Sequence, residues 1–216
     1  MVDVDNVDRV LGTLQRAVRR WKPPVVGRYR RDPYETLVSC LLSLRTKDAT
    51  TAEASVRLFR VARTPQAMLR VPRRRLERLI YPVGFYRTKA RTLREVSRAL
   101  IARHGGRVPG DLDELLKLKG VGRKTANLVV TLAFGRYGIC VDTHVHRICN
   151  RWGFVRTRSP HGTEAQLRER LPRRHWRTIN DLLVAFGQNL CHPTSPWCSR
   201  CPVAAQCGRV GVGRSR

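Results

Sequence analysis

The sequence predicts an all-α protein, on three observations. Apolar residues recur at helical spacing through almost the whole chain. The interruptions are proline and glycine turns of the kind that start and stop helices. No segment shows the period-2 alternation of a half-buried strand, and no internal repeat is evident.

Each helix has its own signal. Residues 6–21 form an amphipathic stretch that ends before Pro23 and Pro24. Asp32-Pro33 reads as an N-cap with proline at the first helical position, opening an apolar helix over 34–44. A helix over 49–62 follows, and Thr64-Pro65 starts a short one by the same device. Helices over 73–80 and 87–103 flank the loop Tyr81-Pro82-Val83-Gly84-Phe85, and Gly105-Gly106 stops the second. Asp111 caps 112–118. Helices over 122–134, 142–152, 163–171 and 175–190 complete the set.

The charge balance narrows the partners. Against 16 acidic residues stand 43 Lys and Arg, a formal net charge of +27. An excess of that size favours polyanions, nucleic acid above all, although a merely solvated basic surface is the plainer reading. No apolar run is long enough to span a membrane, and the N-terminus lacks the pattern of a secretory signal. A cytoplasmic, nucleoid-associated monomer is expected.

The tract NLCHPTSPWCSRCPVAAQCG holds Cys191, Cys198, Cys201 and Cys207 with six, two and five residues between them. Four thiolates within so short a tract suit zinc or an iron–sulfur cluster. Two disulfides in the same space would be strained. Cys40, Cys140 and Cys149 stand among apolar residues as small buried hydrophobes, and they point to a reducing compartment.

A second constellation is Leu118-Lys119-Gly120-Val121-Gly122-Arg123-Lys124-Thr125-Ala126, which follows a short helix and opens a longer apolar one. Gly120 and Gly122 permit a tight hairpin, either as a plain turn or as a close approach to a ligand. The amides of Val121 and Gly122 would face outward beside a helix N-terminus, ready for a phosphate oxygen, with Arg123 alongside. Eighteen residues beyond Lys124 stands Asp142, where an apolar stretch gives way to a helix, so it is first of all an N-cap. A lysine at one helix N-terminus and an aspartate at another could face each other across a groove. Helix-end charge and partial desolvation would then favour the neutral, nucleophilic amine.

In this order and spacing, 118–127, Val141-Asp142-Thr143-His144 and the cysteine tail resemble the endonuclease III family of helix-hairpin-helix DNA glycosylases. The resemblance runs from Tyr34 to Cys207. It implies two helical domains flanking a DNA groove: a six-helix domain of residues 23–136, and a cluster domain joining 1–22 to 137–216. It also implies a 4Fe-4S cluster on Cys191, Cys198, Cys201 and Cys207, Lys124 as nucleophile and Asp142 as catalytic carboxylate. Two stretches fall at family positions that touch the damaged pair. Arg45 stands where the family commonly has glutamine, and Phe85 is placed to enter the base stack. The plainer readings are a phosphate contact for Arg45 and core packing for Phe85. Lys119 replaces a proline usual before the hairpin. His144 and His146 read as packing or hydrogen-bonding residues, while Arg200 and Arg209 face either DNA backbone or solvent.

The implied activity is excision of oxidised or ring-saturated pyrimidines from duplex DNA, with lyase cleavage at the abasic site. Three alternatives stay open. They are a monofunctional adenine or thymine mismatch glycosylase, a UV-dimer glycosylase, and a non-enzymatic metal-stabilised DNA-binding module. Lysine at position 124 speaks against the first, and the Lys124–Asp142 pair against the last.

Overall fold

The computed structural model describes residues 1–21 and 32–216, and among these there is no β-strand. Contacts divide the chain into two compact units, Val25–Arg136 and Met1–Pro24 with Tyr137–Arg216. The sequence places its first boundary, and the proline break at 23–24, outside the described residues.

The first unit holds α2 (Pro33–Ser43), α3 (Asp48–Phe59), α4 (Pro65–Arg70), α5 (Arg73–Ile80), α6 (Tyr86–His104), α7 (Leu112–Leu116) and α8 (Arg123–Leu132). The Asp-Pro and Thr-Pro starts work as local chemistry dictates. Asp32 accepts from the Glu35 amide at 2.7 Å and Thr64 from the Ala67 amide at 3.1 Å. Helix α2 is buried along nearly its whole length against α3, α6 and α8. Its small residues Ser39 and Cys40 let the neighbours approach. Leu37, Leu41, Leu58, Leu93 and Val129 lie in one continuous core.

The second unit joins α1 (Val7–Val18) to α9 (Thr143–Trp152), α10 (Pro160–Arg170) and α11 (Ile179–Asn189). Val7, Val10, Leu11 and Leu14 of α1 bury one face among Ile148, Trp152, Leu183 and Phe186. Helix α10 starts three residues before the sequence suggests, because Ser159 caps it and Pro160 takes its first position. The helix expected over 175–190 is two pieces, a 3-10 turn at Arg173–His175 and α11 from Ile179. The indole of Trp176 donates to the Leu171 carbonyl at 2.9 Å and holds that break.

Half-buried arginines close several helix ends, where the last carbonyls lack partners. Arg57 donates to Leu79 O at 3.0 Å and to Tyr81 O beyond α5. Arg94 reaches Leu69 O and Val71 O beyond α4 at 3.0 and 2.6 Å. Arg147 reaches Cys191 O beyond α11 at 2.7 Å. Part of the basic excess therefore works inside the fold rather than on a polyanion.

Candidate active site

Helix α7 is capped by Asp111, whose carboxylate accepts from the Asp113 and Glu114 amides at 2.9 and 3.1 Å. The chain then turns through 117–122 into α8. Gly120 sits at φ +89°, and a Cβ there would lie 2.5 Å from the Thr92 methyl, so the fold itself demands glycine. Gly122 differs. Its φ is −89°, open to any residue, and a Cβ there would meet nothing within 4 Å. The fold does not require this glycine.

One expectation needs correction. Val121 does not present its amide outward: it donates to Leu118 O at 2.9 Å, and its side chain is buried in the core. The hydrophobic side chain pins the hairpin down and turns its own N–H inward. The outward face of the hairpin is thus Gly122 with Arg123, both exposed. Gly122 at the N-cap brings no side chain to cap α8, which leaves that positive helix end suited to an anion. Lys119, in the place of the usual proline, lies 3.6 Å from Glu95 across an exposed ion pair.

Lys124 is half-buried on the first turn of α8, a helix that packs on α2. Burial pushes the Cys40 thiol of α2 up to about 12, and the charge of Lys124 opposes that rise. The lysine thus lies near the buried last turn of α2.

Asp142 belongs to the other unit. It is only 9% exposed and caps α9, one carboxylate oxygen accepting from the His144 and Val145 amides at 2.9 and 3.0 Å. Capping fixes the carboxylate rigidly, so the plain reading and the catalytic one are compatible. His144 takes a 3.1 Å bond from Arg147, and His146 pairs with Thr163 at 2.7 Å. Both histidines serve packing and hydrogen bonding, as expected. Gly187 of α11 is needed where α11 passes His144, since a Cβ there would overlap the imidazole.

The two loops expected at the damaged pair share an unusual backbone. Arg45 has φ +51° and Phe85 φ +58°, in the left-handed region that non-glycine residues rarely enter. Core packing of Phe85 is overturned: the ring is 63% exposed. The Arg45 guanidinium lies over it, 5.7 Å from the centroid. The sequence holds no sign of this pairing, because the two residues are forty positions apart.

Cys191, Cys198, Cys201 and Cys207 line one cavity together with Trp152, Trp197 and Arg151. None of the seven cysteines forms a disulfide. Among the described residues no three His, Cys, Asp or Glu are drawn tightly enough together to hold a single ion; the thiols surround the cavity. Burial pushes the Cys201 thiol up to about 11, and the charges of Cys207, Cys191 and Cys198 add to the rise. Donors face the sulfurs: Arg151 lies 3.4 Å from Cys191 Sγ, and the Arg209 amide 3.4 Å from Cys207 Sγ. Arg209 is exposed, and its backbone amide serves the cysteine tract as well. Four half-buried thiols around one cavity, with N–H donors beside two of them, fit a cationic sulfur-bridged centre.

A glycine hairpin opening a lysine-bearing helix, with a cysteine-lined cavity elsewhere in an all-helical chain, defines a helix-hairpin-helix repair protein. The chain belongs to the HhH-GPD superfamily of base excision DNA repair proteins, whose family model matches residues 38–173. Within it the similarity is to endonuclease III. The Thermotoga maritima endonuclease III is 48% identical over 188 residues, which cover 86% of this chain and 88% of that one. A trapped endonuclease III–DNA covalent intermediate superposes with a TM-score of 0.87 at 37% identity, covering 96% of each chain. A thermostable thymine-DNA glycosylase gives 0.81 at 27% identity over 94% of each.

Proposed function

We propose that the protein excises oxidised or ring-saturated pyrimidines from duplex DNA and cuts the strand at the resulting abasic site, with Lys124 as nucleophile. Base-excision glycosylase and AP-lyase activity follows from its place among the endonucleases III. The observation that carries the finer reading is the start of α8. A half-buried lysine stands there on the first turn of a helix whose N-cap is Gly122, a glycine the fold does not need.

The chemistry is consistent with those residues. The damaged nucleotide leaves the stack, because C1′ is shielded within the duplex. The neutral Lys124 amine attacks C1′; the C1′–N bond breaks, and its electron pair leaves with the base, which takes up a proton. Loss of the amine proton and opening of the sugar give an imine between Nζ and C1′. The imine acidifies the C2′ proton; removing it expels the 3′ phosphate oxygen by β-elimination. Asp142 serves as proton acceptor or as the charge that offsets the developing positive sugar. Support for the lysine route comes from the relative captured as a covalent intermediate on DNA. Gly122, Arg123 and the N-terminus of α8 hold a phosphate, while Arg45 and Phe85 meet the damaged pair. Cys191, Cys198, Cys201 and Cys207 would hold a 4Fe-4S cluster, which supplies cohesion to the C-terminal loop and takes no part in base removal.

A nicking screen over duplexes with single defined lesions tests this. The parent should cut at ring-saturated pyrimidines and at abasic sites. Lys124→Gln should bind such duplexes yet cut neither, and Asp142→Asn should bind and lose most base excision. Cleavage retained by Lys124→Gln would refute the lysine route.

A further inference from the structure

We infer that Lys89 is a positioning residue for base extrusion: its buried ammonium locks the Arg45 loop to the Phe85 loop, so that the two side chains act as one unit. The inference rests on the reading that these loops meet the damaged pair.

Lys89 is 8% exposed, on the first turn of α6. Its three N–H groups have three acceptors, on the end of α2 and the loop that follows it: Leu42 O at 2.7 Å, Leu44 O at 2.5 Å and Thr46 Oγ1 at 3.1 Å. An ammonium can donate three times and no more, so its capacity is spent on the segment that carries Arg45. The Thr46 hydroxyl passes the connection on. It accepts from the Gly84 amide at 3.1 Å and donates to Leu44 O at 3.2 Å. The Lys89 amide in turn donates to Phe85 O at 2.9 Å. One residue thus grips the first loop with its side chain and the second with its backbone.

The loops also touch directly. A Cβ at Gly84 would stand 2.6 Å from Arg45 O, so the two backbones meet where only glycine fits. Immediately beside that contact Arg45 and Phe85 both hold left-handed backbone, with their side chains exposed and in cation–π contact. Two adjacent strained residues persist only where surrounding bonds over-determine them. Lys89 and Thr46 are those bonds. The arrangement presents a ring and a guanidinium as one rigid tip, which suits opening a base pair by a fixed wedge.

The test compares two substrates in single-turnover experiments: a duplex with a paired ring-saturated pyrimidine and the same duplex with a preformed abasic site. Extrusion is demanding only for the first. Lys89→Met and Thr46→Val should each lower the ratio of lesion excision to abasic-site cleavage by on the order of tenfold, since a misplacement of about 1 Å can cost a hundredfold and these loops would shift by less. Abasic-site cleavage should stay near the parent rate. Thr46→Val keeps both Lys89 bonds to carbonyls, so it decides by the same ratio if Lys89→Met does not fold. Equal losses on both substrates, or an unchanged ratio in an active protein, would overturn the inference. A parent inactive on both substrates would sink the underlying reading and this inference with it.

Discussion

The loop after α2 and the tract from Cys191 to Cys207 both leave regular helix, and each is gripped by a buried cation. In the first, Lys89 donates to three oxygens and Thr46 relays the grip to Gly84. In the second, Arg151 donates to His192 O, Pro193 O and Cys191 Sγ. The difference lies in what else each segment contains. The Arg45 loop is anchored by Leu44, which packs against the core of its unit. The cysteine tract has little apolar substance beyond Val203 and Trp197, and burial, with the neighbouring cysteines, raises the proton affinity of Cys201 and Cys207. A loop whose polar groups are satisfied by protein can stand alone; a ring of half-buried thiols leaves its cohesion to the metal proposed for it.

The largest effect should therefore come from the metal. Cys198→Ser should lose iron and several kcal/mol of stability in the C-terminal unit, because metal binding to such a tract is folding free energy. Iron content and the melting curve check this. Full stability without iron would mean that the tract stands alone as the Arg45 loop does. Next, Arg151→Met should cost roughly 2–4 kcal/mol, since it strands carbonyls in the interior. A loss below about 0.5 kcal/mol in denaturant titration would show that the metal alone holds the tract.

The two hairpin glycines sharpen the contrast between fold and function. Gly120→Ala should destabilise by ~1–3 kcal/mol through left-handed strain and overlap with Thr92. Gly122→Ala should leave stability within about 0.5 kcal/mol. Gly122→Asp should fold, yet weaken binding to abasic-analogue duplex by ~1–3 kcal/mol, equally for every lesion. Unchanged affinity would reduce Gly122 to a plain turn. The smallest effect on stability belongs to Arg45→Ala, within about 0.5 kcal/mol in a melt. That variant should still slow excision of a paired lesion more than cleavage at an abasic site; equal slowing would make Arg45 a phosphate contact.

Much of this was legible in the sequence because it is local. Asp32, Thr64, Asp111 and Asp142 cap the helices that their side chains foretell. Helix ends ran long, as over 6–21, because periodicity does not mark where backbone bonding stops; α1 ends at Val18. Ser159-Pro160 repeats the cap signal of Asp32-Pro33, but His161 and Gly162 interrupt the apolar pattern and hide it. The inward amide of Val121 follows from a side chain finding the core. Lys89 stayed invisible for a physical reason: among the arginines of α6 it reads as one more solvated cation. Only the tertiary neighbours Leu42, Leu44 and Thr46 show otherwise.

Lys124 carries the central claim, and borohydride reduction during turnover addresses it most directly. An imine between Nζ and C1′ is reducible, whereas an abasic site formed by water attack leaves no protein–DNA bond to reduce. With a duplex carrying a ring-saturated pyrimidine, the parent should yield a covalent protein–DNA adduct in denaturing electrophoresis, with the modified peptide containing Lys124, and Lys124→Gln should yield none. Base excision by the parent without any adduct, or an adduct mapped to another residue, would contradict the account.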